Sequence, residues 1–527
     1  MSKTADFLIT NTQIITMNDA QPTAEAVAIR GNRIVFVGSQ VEAKEWQAGR
    51  VIDGGGRTLI PGIIDSHFHL WSGSMQLADM QLQPVRNTQA LREEVQAFAA
   101  ANPQRAWLVG YQLIYFDPSL TRHDLDAIEA ERPLVLFAYD MHTAWANTSA
   151  LELGGILNGG PVGPASEIVI GEDGLAMGEL RESGAYHHLT ALFPKLTPVE
   201  ERTLLHQGLK QAAALGITSV HNMDGSLEQI SRYAALEDLG QMSLRVYMPY
   251  SVTPATTEAQ LAEAVAMRDE FQSDMVRGGA VKFFMDGVVE SYTALLFDDY
   301  VGQPGNKGAA LYSAEHFNRM AAAADALGLQ IFVHAIGDAA VNRTLNGYAA
   351  LQQQRDRRQR LEHIEIIAPQ DIPRLAELGV IASMQPLHAP ANPGAADVWP
   401  SRVGPERWPF SFAWQTLRQA GSRLVFGSDW PVVSQNPFQG LAHAIGRSPW
   451  FPDQPDQRQS LMDALAAYTR DAAFAEFQEH QKGQIRPGFL ADMVLLSGNL
   501  LDMTAEEIGE VRPLMTICDG RIVFEQS

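Results

Sequence analysis

Apolar runs far apart in the chain end in side chains that bind metals or handle protons. They are Ile-Ile-Asp65-Ser-His67-Phe-His69, Val-Lys282-Phe-Phe-Met-Asp286-Gly, the two runs that close on His334 and His363, and Val-Phe-Gly-Ser-Asp429-Trp-Pro. Apolar strands with chemistry at their ends are what a parallel barrel requires, because its interior is packed and its C-terminal rim carries the site. Eight buried strands are expected, at residues 59–65, 217–222, 244–249, 280–286, 330–334, 360–364, 380–385 and 423–429. Helical patterns at 199–215, 314–327, 368–378 and 412–420 alternate with them. The fold class expected is α/β, a TIM-like barrel of eight β/α units.

Both ends of the chain break the rhythm. Residues 6–17 alternate in polarity, and 26–37 fold back around Gly31-Asn32, a two-residue hairpin signal. Near the other end, 492–496 reads as a strand and 515–524 turns at Asp519-Gly520. One composite β-sandwich is expected from 1–60 and 481–527, flanking a barrel at 61–480; two separate hairpins packed on the barrel are the alternative. The interval 71–195, too long for one helix, is expected to be an insertion that forms a lid or pocket wall.

Composition narrows the function. A formal net charge of -22 repels nucleic acid and anionic membranes, so neither is expected as a partner. The single cysteine, Cys518, excludes disulfides within the chain and a cysteine-built zinc site, which leaves His, Asp, Glu and Lys as ligands. No apolar run approaches the ~20 residues that span a bilayer, and the start lacks the features of a secretory signal. A soluble, cytoplasmic protein is expected, acting on a small molecule, with a homo-oligomer left open.

On a strand, residues two apart share a side, so His67 and His69 can aim at one spot, with Asp65 on that side. Two incidental histidines are the plain alternative. Lys282 lies inside an apolar run, where a bare ammonium is costly. Either it pairs with an acid such as Asp286 or Glu290, or it reacts with CO2 and becomes a carbamate that bridges two metals. The residues alone leave both open. His334 and His363 are candidate ligands at successive strand ends, and Asp338 or Glu362 could orient a ligand imidazole. Asp429 either caps the next segment or accepts a proton from a metal-activated water. Gln385, His388 and, from the insertion, His142 are candidate substrate contacts. Trp71, Trp107, Tyr111, Trp145, Tyr292 and Trp430 either line an aromatic pocket or pack the core.

With these motifs the chain resembles the amidohydrolase superfamily over nearly its whole length. Val-Lys-Phe-Phe-Met-Asp-Gly, His-Ala-Ile-Gly-Asp, Leu-Glu-His and Gly-Ser-Asp-Trp-Pro resemble its N-substituted formamide deformylase-like branch. The resemblance implies His67 and His69 on one metal with Asp429, and His334 and His363 on a second, bridged by carbamylated Lys282. It implies two zinc ions, other divalent ions being possible, and hydrolysis of an amide-like C–N bond with Asp429 as general base and then acid. Histidine 388 or His142 could steady the oxyanion. A mononuclear zinc deaminase, an ester or lactone hydrolase, and a non-catalytic binding or scaffold protein are the alternatives. The chain departs from the branch at Asp140-Met141-His142, where Asp-Gly-His is frequent, at Met177-Gly178-Glu179, and at Glu290-Ser291-Tyr292-Thr293.

Overall fold

The computed structural model describes residues 3–116, 118–163, 166–351, 355–392 and 398–526. Its centre is an eight-stranded parallel sheet. The strands, in chain order, are β1 (Ile63–Phe68), β2 (Ile217–Asn222), β3 (Arg245–Ser251), β4 (Val276–Phe284), β5 (Gln330–Ala335), β6 (Arg360–His363), β7 (Ile381–Met384) and β8 (Leu424–Phe426). Each pairs with its neighbour in sequence. Strands 1 and 8 meet at the rim, where the Asp429 N–H donates to the His67 carbonyl at 2.7 Å and the His69 N–H to the Trp430 carbonyl at 2.9 Å. Gly427 permits that approach, because a Cβ there would lie 2.4 Å from the His67 nitrogen. The expected strands overlap these eight, with shifted ends, and one needs a larger correction: 59–65 is two strands. Thr58–Pro61 joins a terminal sheet, and β1 begins after Gly62, whose missing side chain makes room for Thr218.

The terminal strands make two further sheets. One holds Arg33–Gly38, Ala26–Arg30, Lys3–Thr10 and Trp46–Asp53, in that order. The other runs Arg521–Glu525, Pro513–Cys518, Met493–Leu496, Thr58–Pro61, Gln13–Ile15, Thr23–Ala24. Val494 opposite Ile60 is the seam that joins the two ends of the chain, so the composite arrangement holds and separate hairpins do not. Ile9, Ile14, Val27, Leu59, Met493 and Ile517 fill the space between the sheets. Burial of such side chains, worth roughly 1.5–3 kcal/mol each, holds the sandwich together.

The insertion builds a six-stranded sheet of its own, which includes Leu134–Ala138. Its apolar residues form separate clusters, one around Leu91, Leu108 and Leu136 and another around Val135, Phe137 and Leu180. Among the described residues no helix is long and apolar enough to cross a membrane.

Candidate metal centre

His67 lies on β1 and His69 one residue past its end. His67 Nδ1 is 2.7 Å from Glu362 Oε2, and His69 Nδ1 is 3.0 Å from Asp224 Oδ1. Each carboxylate accepts the Nδ1–H, which leaves Nε2 of the neutral rings with a lone pair. Those two nitrogens lie 3.3 and 3.2 Å from Asp429 Oδ1. Three lone pairs therefore converge on one point, and His67 Nε2 and Asp429 Oδ1 are buried without a hydrogen-bond partner. A cation is what such a point accommodates. Asp429 adopts a φ of 62°, a left-handed conformation uncommon outside glycine that turns its carboxylate toward β1. Asp65 does not reach the point: its carboxylate accepts the N–H groups of His67 and Ser428 and ties the Asp429 loop to β1.

The second half is built differently. His334 Nε2 donates to the Gly287 carbonyl at 3.1 Å, leaving Nδ1 open, and His363 Nδ1 donates to Gln385 Oε1 at 2.8 Å, leaving Nε2 open. The rings of His67 and His334 lie 4.7 and 4.5 Å from that of His363, centre to centre. Lys282 on β4 is buried, its Nζ has no hydrogen-bond partner, and it sits 4.1 Å from the centre of the Phe284 ring. Neither acid proposed for it is its partner. Asp286 instead accepts the N–H groups of Leu295, Ile336 and Gly337, and Glu290 accepts the Tyr139 hydroxyl. Burial lowers the Lys282 ammonium to about 8, although Glu362 and Asp429 oppose the shift. A second compact grouping of ligand-type side chains combines His363, His388 and Asp429.

Burial also holds His67, His334 and His363 well below the ordinary histidine value, so they are neutral, the form that binds metals. His69 behaves oppositely. Burial works against its charge, but the neighbouring carboxylates of Asp224 and Asp429 outweigh it and raise the group to about 9. Burial likewise opposes ionisation of Asp429, yet His67, His69 and His388 hold it below the usual carboxylate range.

A cavity of about 650 Å³ opens over this centre. The insertion reaches into it with His142, whose Nδ1 is 2.8 Å from Glu182 Oε2. Glu182 in turn accepts the hydroxyls of Thr293 and Ser291 from the loop after β4. Met141 has a φ of 63°, which explains why glycine is frequent at this position in the branch the sequence resembles. His388 lines the cavity, its Nε2 3.6 Å from Asp429 Oδ2. Gln385 is not among the lining residues; its Oε1 accepts from His363 Nδ1. The six expected aromatics are not in the wall either. Trp145 is fully buried in the insertion, Trp430 stacks on Phe68 and Tyr111 on Phe137, so the core-packing alternative applies. The aromatic wall consists of Tyr115, Tyr139, Tyr186, Phe284 and Tyr312.

Of the two acids offered as braces, Glu362 acts, but on His67 across the barrel; Asp338 accepts the Phe297 and Ala339 N–H groups. Asp224 was missed. Its signal was present: an Asp-Gly pair begins two residues past the end of β2, as Asp286-Gly287 does past β4.

The sequence profile of the amidohydrolase family matches residues 50–524. The chain belongs to the amidohydrolase family. This amidohydrolase is 32% identical to Protein LONG AFTER FAR-RED 3 of Arabidopsis thaliana, over 99% of its own length and 92% of the relative's. It is 26% identical to N-substituted formamide deformylase of Arthrobacter pascens over the full length of both chains. A metal-dependent hydrolase from Pyrococcus furiosus shares its fold with a TM-score of 0.71, at 24% identity over 93% of this chain and 98% of the other. The expected family and barrel fold therefore both hold.

Proposed function

We propose that this amidohydrolase is a metal-dependent enzyme that cleaves a carbon–nitrogen bond in an amide-like small molecule. The observation that carries the reading is the convergence of His67 Nε2, His69 Nε2 and Asp429 Oδ1 beneath a cavity large enough for a small organic substrate. These three residues would hold one divalent cation, with zinc the first candidate given two imidazoles and a carboxylate. His334, His363 and Lys282, the lysine as its carbamate, would hold a second. Bound there, such ions lower the pKa of water and polarise a carbonyl oxygen.

The remaining chemistry belongs to side chains. The Asp429 carboxylate takes the proton of the attacking water and returns it to the departing nitrogen. His388 stands beside Oδ2 of the same carboxylate and steadies it as charge moves. Glu362, Asp224 and Gln385 keep the tautomers of His67, His69 and His363 fixed. The insertion closes the cavity side wall with Tyr115, Tyr139 and Tyr186 and limits water. Apolar residues such as Val252, Leu311 and Val432 complete a surface suited to an N-alkyl or N-aryl group.

N-substituted formamides are the first compounds to try, because a relative carries that name. Metal-free protein should be titrated with zinc and assayed against formamides, other amides, esters and aminopurines. Amine release that rises with metal supports the reading. Ammonia release at one metal per chain supports the mononuclear deaminase reading, which the compact His67–His69–Asp429 set would also serve. No turnover of any compound by loaded protein favours a binding role.

A further inference from the structure

Beneath the metal centre the barrel interior is charged, where such barrels ordinarily carry layers of branched apolar side chains. Arg360, on β6, is fully buried. Its Nε and Nη2 donate to the two oxygens of Glu362 at 2.9 and 3.1 Å. Nη2 also donates to Ser383 Oγ on β7 at 2.8 Å and to the Ser66 carbonyl on β1. Nη1 donates to His221 Nδ1 on β2 at 2.7 Å. One guanidinium thus ties four strands together and grips the carboxylate that holds His67.

The chain of charges continues downward. His221 accepts at Nδ1, so its proton is on Nε2, which lies 3.2 Å from Glu476 Oε1. Lys482 Nζ lies 2.6 Å from the same oxygen and 2.6 Å from Ser219 Oγ. Glu476 and Lys482 belong to the segment that leaves the barrel for the terminal sheet, and both are buried. Burying this many charges is costly unless their geometry does something an apolar core would not do.

We infer that Arg360 is a positioning residue for the metal centre: its fork locks Glu362, Glu362 fixes the Nδ1–H of His67, and Nε2 is thereby aimed at the cation point, with Glu476 and Lys482 supporting the assembly from below. The inference rests on the reading that this point holds a metal. It concerns a residue with no contact to the cavity, and it assigns the charged barrel floor a task in metal binding rather than in stability alone.

The test uses cobalt as the probe, because its visible absorption reports ligand geometry directly. The intact wild-type chain, Arg360→Lys and Ser383→Ala are each freed of metal and titrated with Co2+ against a chelator. Lysine keeps the charge and loses the fork, whereas Ser383→Ala removes one acceptor of the same Nη2 without changing any charge. Arg360→Lys is expected to bind Co2+ about tenfold or more weakly, with shifted absorption bands. Ser383→Ala is expected to show a smaller weakening in the same direction. Should Arg360→Lys fail to fold, Ser383→Ala decides. Variants that fold, lose thermal stability, and yet keep the wild-type cobalt affinity and spectrum overturn the inference. A wild-type chain that takes up no cobalt overturns the metal reading and this inference with it.

Discussion

The two halves of the centre are braced by different chemistry. His67 and His69 are held by carboxylates, Glu362 and Asp224, and the half is completed by a third carboxylate, Asp429. His334 and His363 are held by neutral groups, the Gly287 carbonyl and the Gln385 amide, and the residue beside them is Lys282, which as encoded offers a cation or a neutral amine. The first half is electrostatically ready for a cation. The second lacks an anion until Lys282 is chemically changed. Metal occupancy of the second half should therefore depend on CO2, and that of the first should not.

The largest effect expected is on Asp429, which is both a ligand of the first half and the proton acceptor. Asp429→Asn should lower kcat on the order of a thousandfold or more, while zinc analysis still finds metal bound by the histidines. Near-normal turnover would remove Asp429 from the proton's path. Lys282→Ala comes next. It should leave about one metal per chain and cost roughly a hundredfold in rate, with partial recovery when a small carboxylate is added to replace the missing anion. Loss of both metals together would mean that the halves are not independent.

The braces sharpen the comparison further. Asp224→Ala should weaken metal at the first half by about tenfold, whereas Gln385→Ala, which removes a neutral partner, should weaken the second half less; chelator competition separates the two. The smallest effect is on the stability of metal-free protein across pH, where His69 runs opposite to His67, His334 and His363. His334 and His363 sit below their unfolded value, so the unfolded chain takes up their protons first and stability falls as pH drops below about 6.5. His69 is raised to about 9, so its contribution is complete below about 6.5 and disappears as pH rises toward 9. Urea midpoints measured from acid to alkaline pH should show His363→Gln flattening the acid side and His69→Gln the alkaline side.

The residues that face the centre were legible in the sequence; those that hold them were not. Each of His67, Lys282, His334 and Asp429 ends or interrupts an apolar run, and strand periodicity makes such residues conspicuous. Glu362 reads as a brace for no particular histidine, because it and His67 are 295 residues apart and only barrel closure brings them together. Arg360 opens a strand and reads as an ordinary charged boundary, yet it is fully buried by four strands. The aromatic pocket failed for the opposite reason. Tryptophans are large and apolar wherever they occur, and nothing in the periodicity distinguishes a cavity wall from a core. Met141 shows a third limit, since its left-handed backbone is imposed by the turn that delivers His142 and carries no local signal.

The central claim is best tested by counting metals while following Lys282. Metal-free protein is reloaded with zinc, once with carbon-13 bicarbonate and once with CO2 rigorously excluded, and metal per chain is measured together with the labelled carbon. The account predicts two metals and one carbamate carbon per chain in the first preparation, and one metal with no carbamate in the second. Two metals bound regardless of CO2, with Lys282 unlabelled in both, would contradict it.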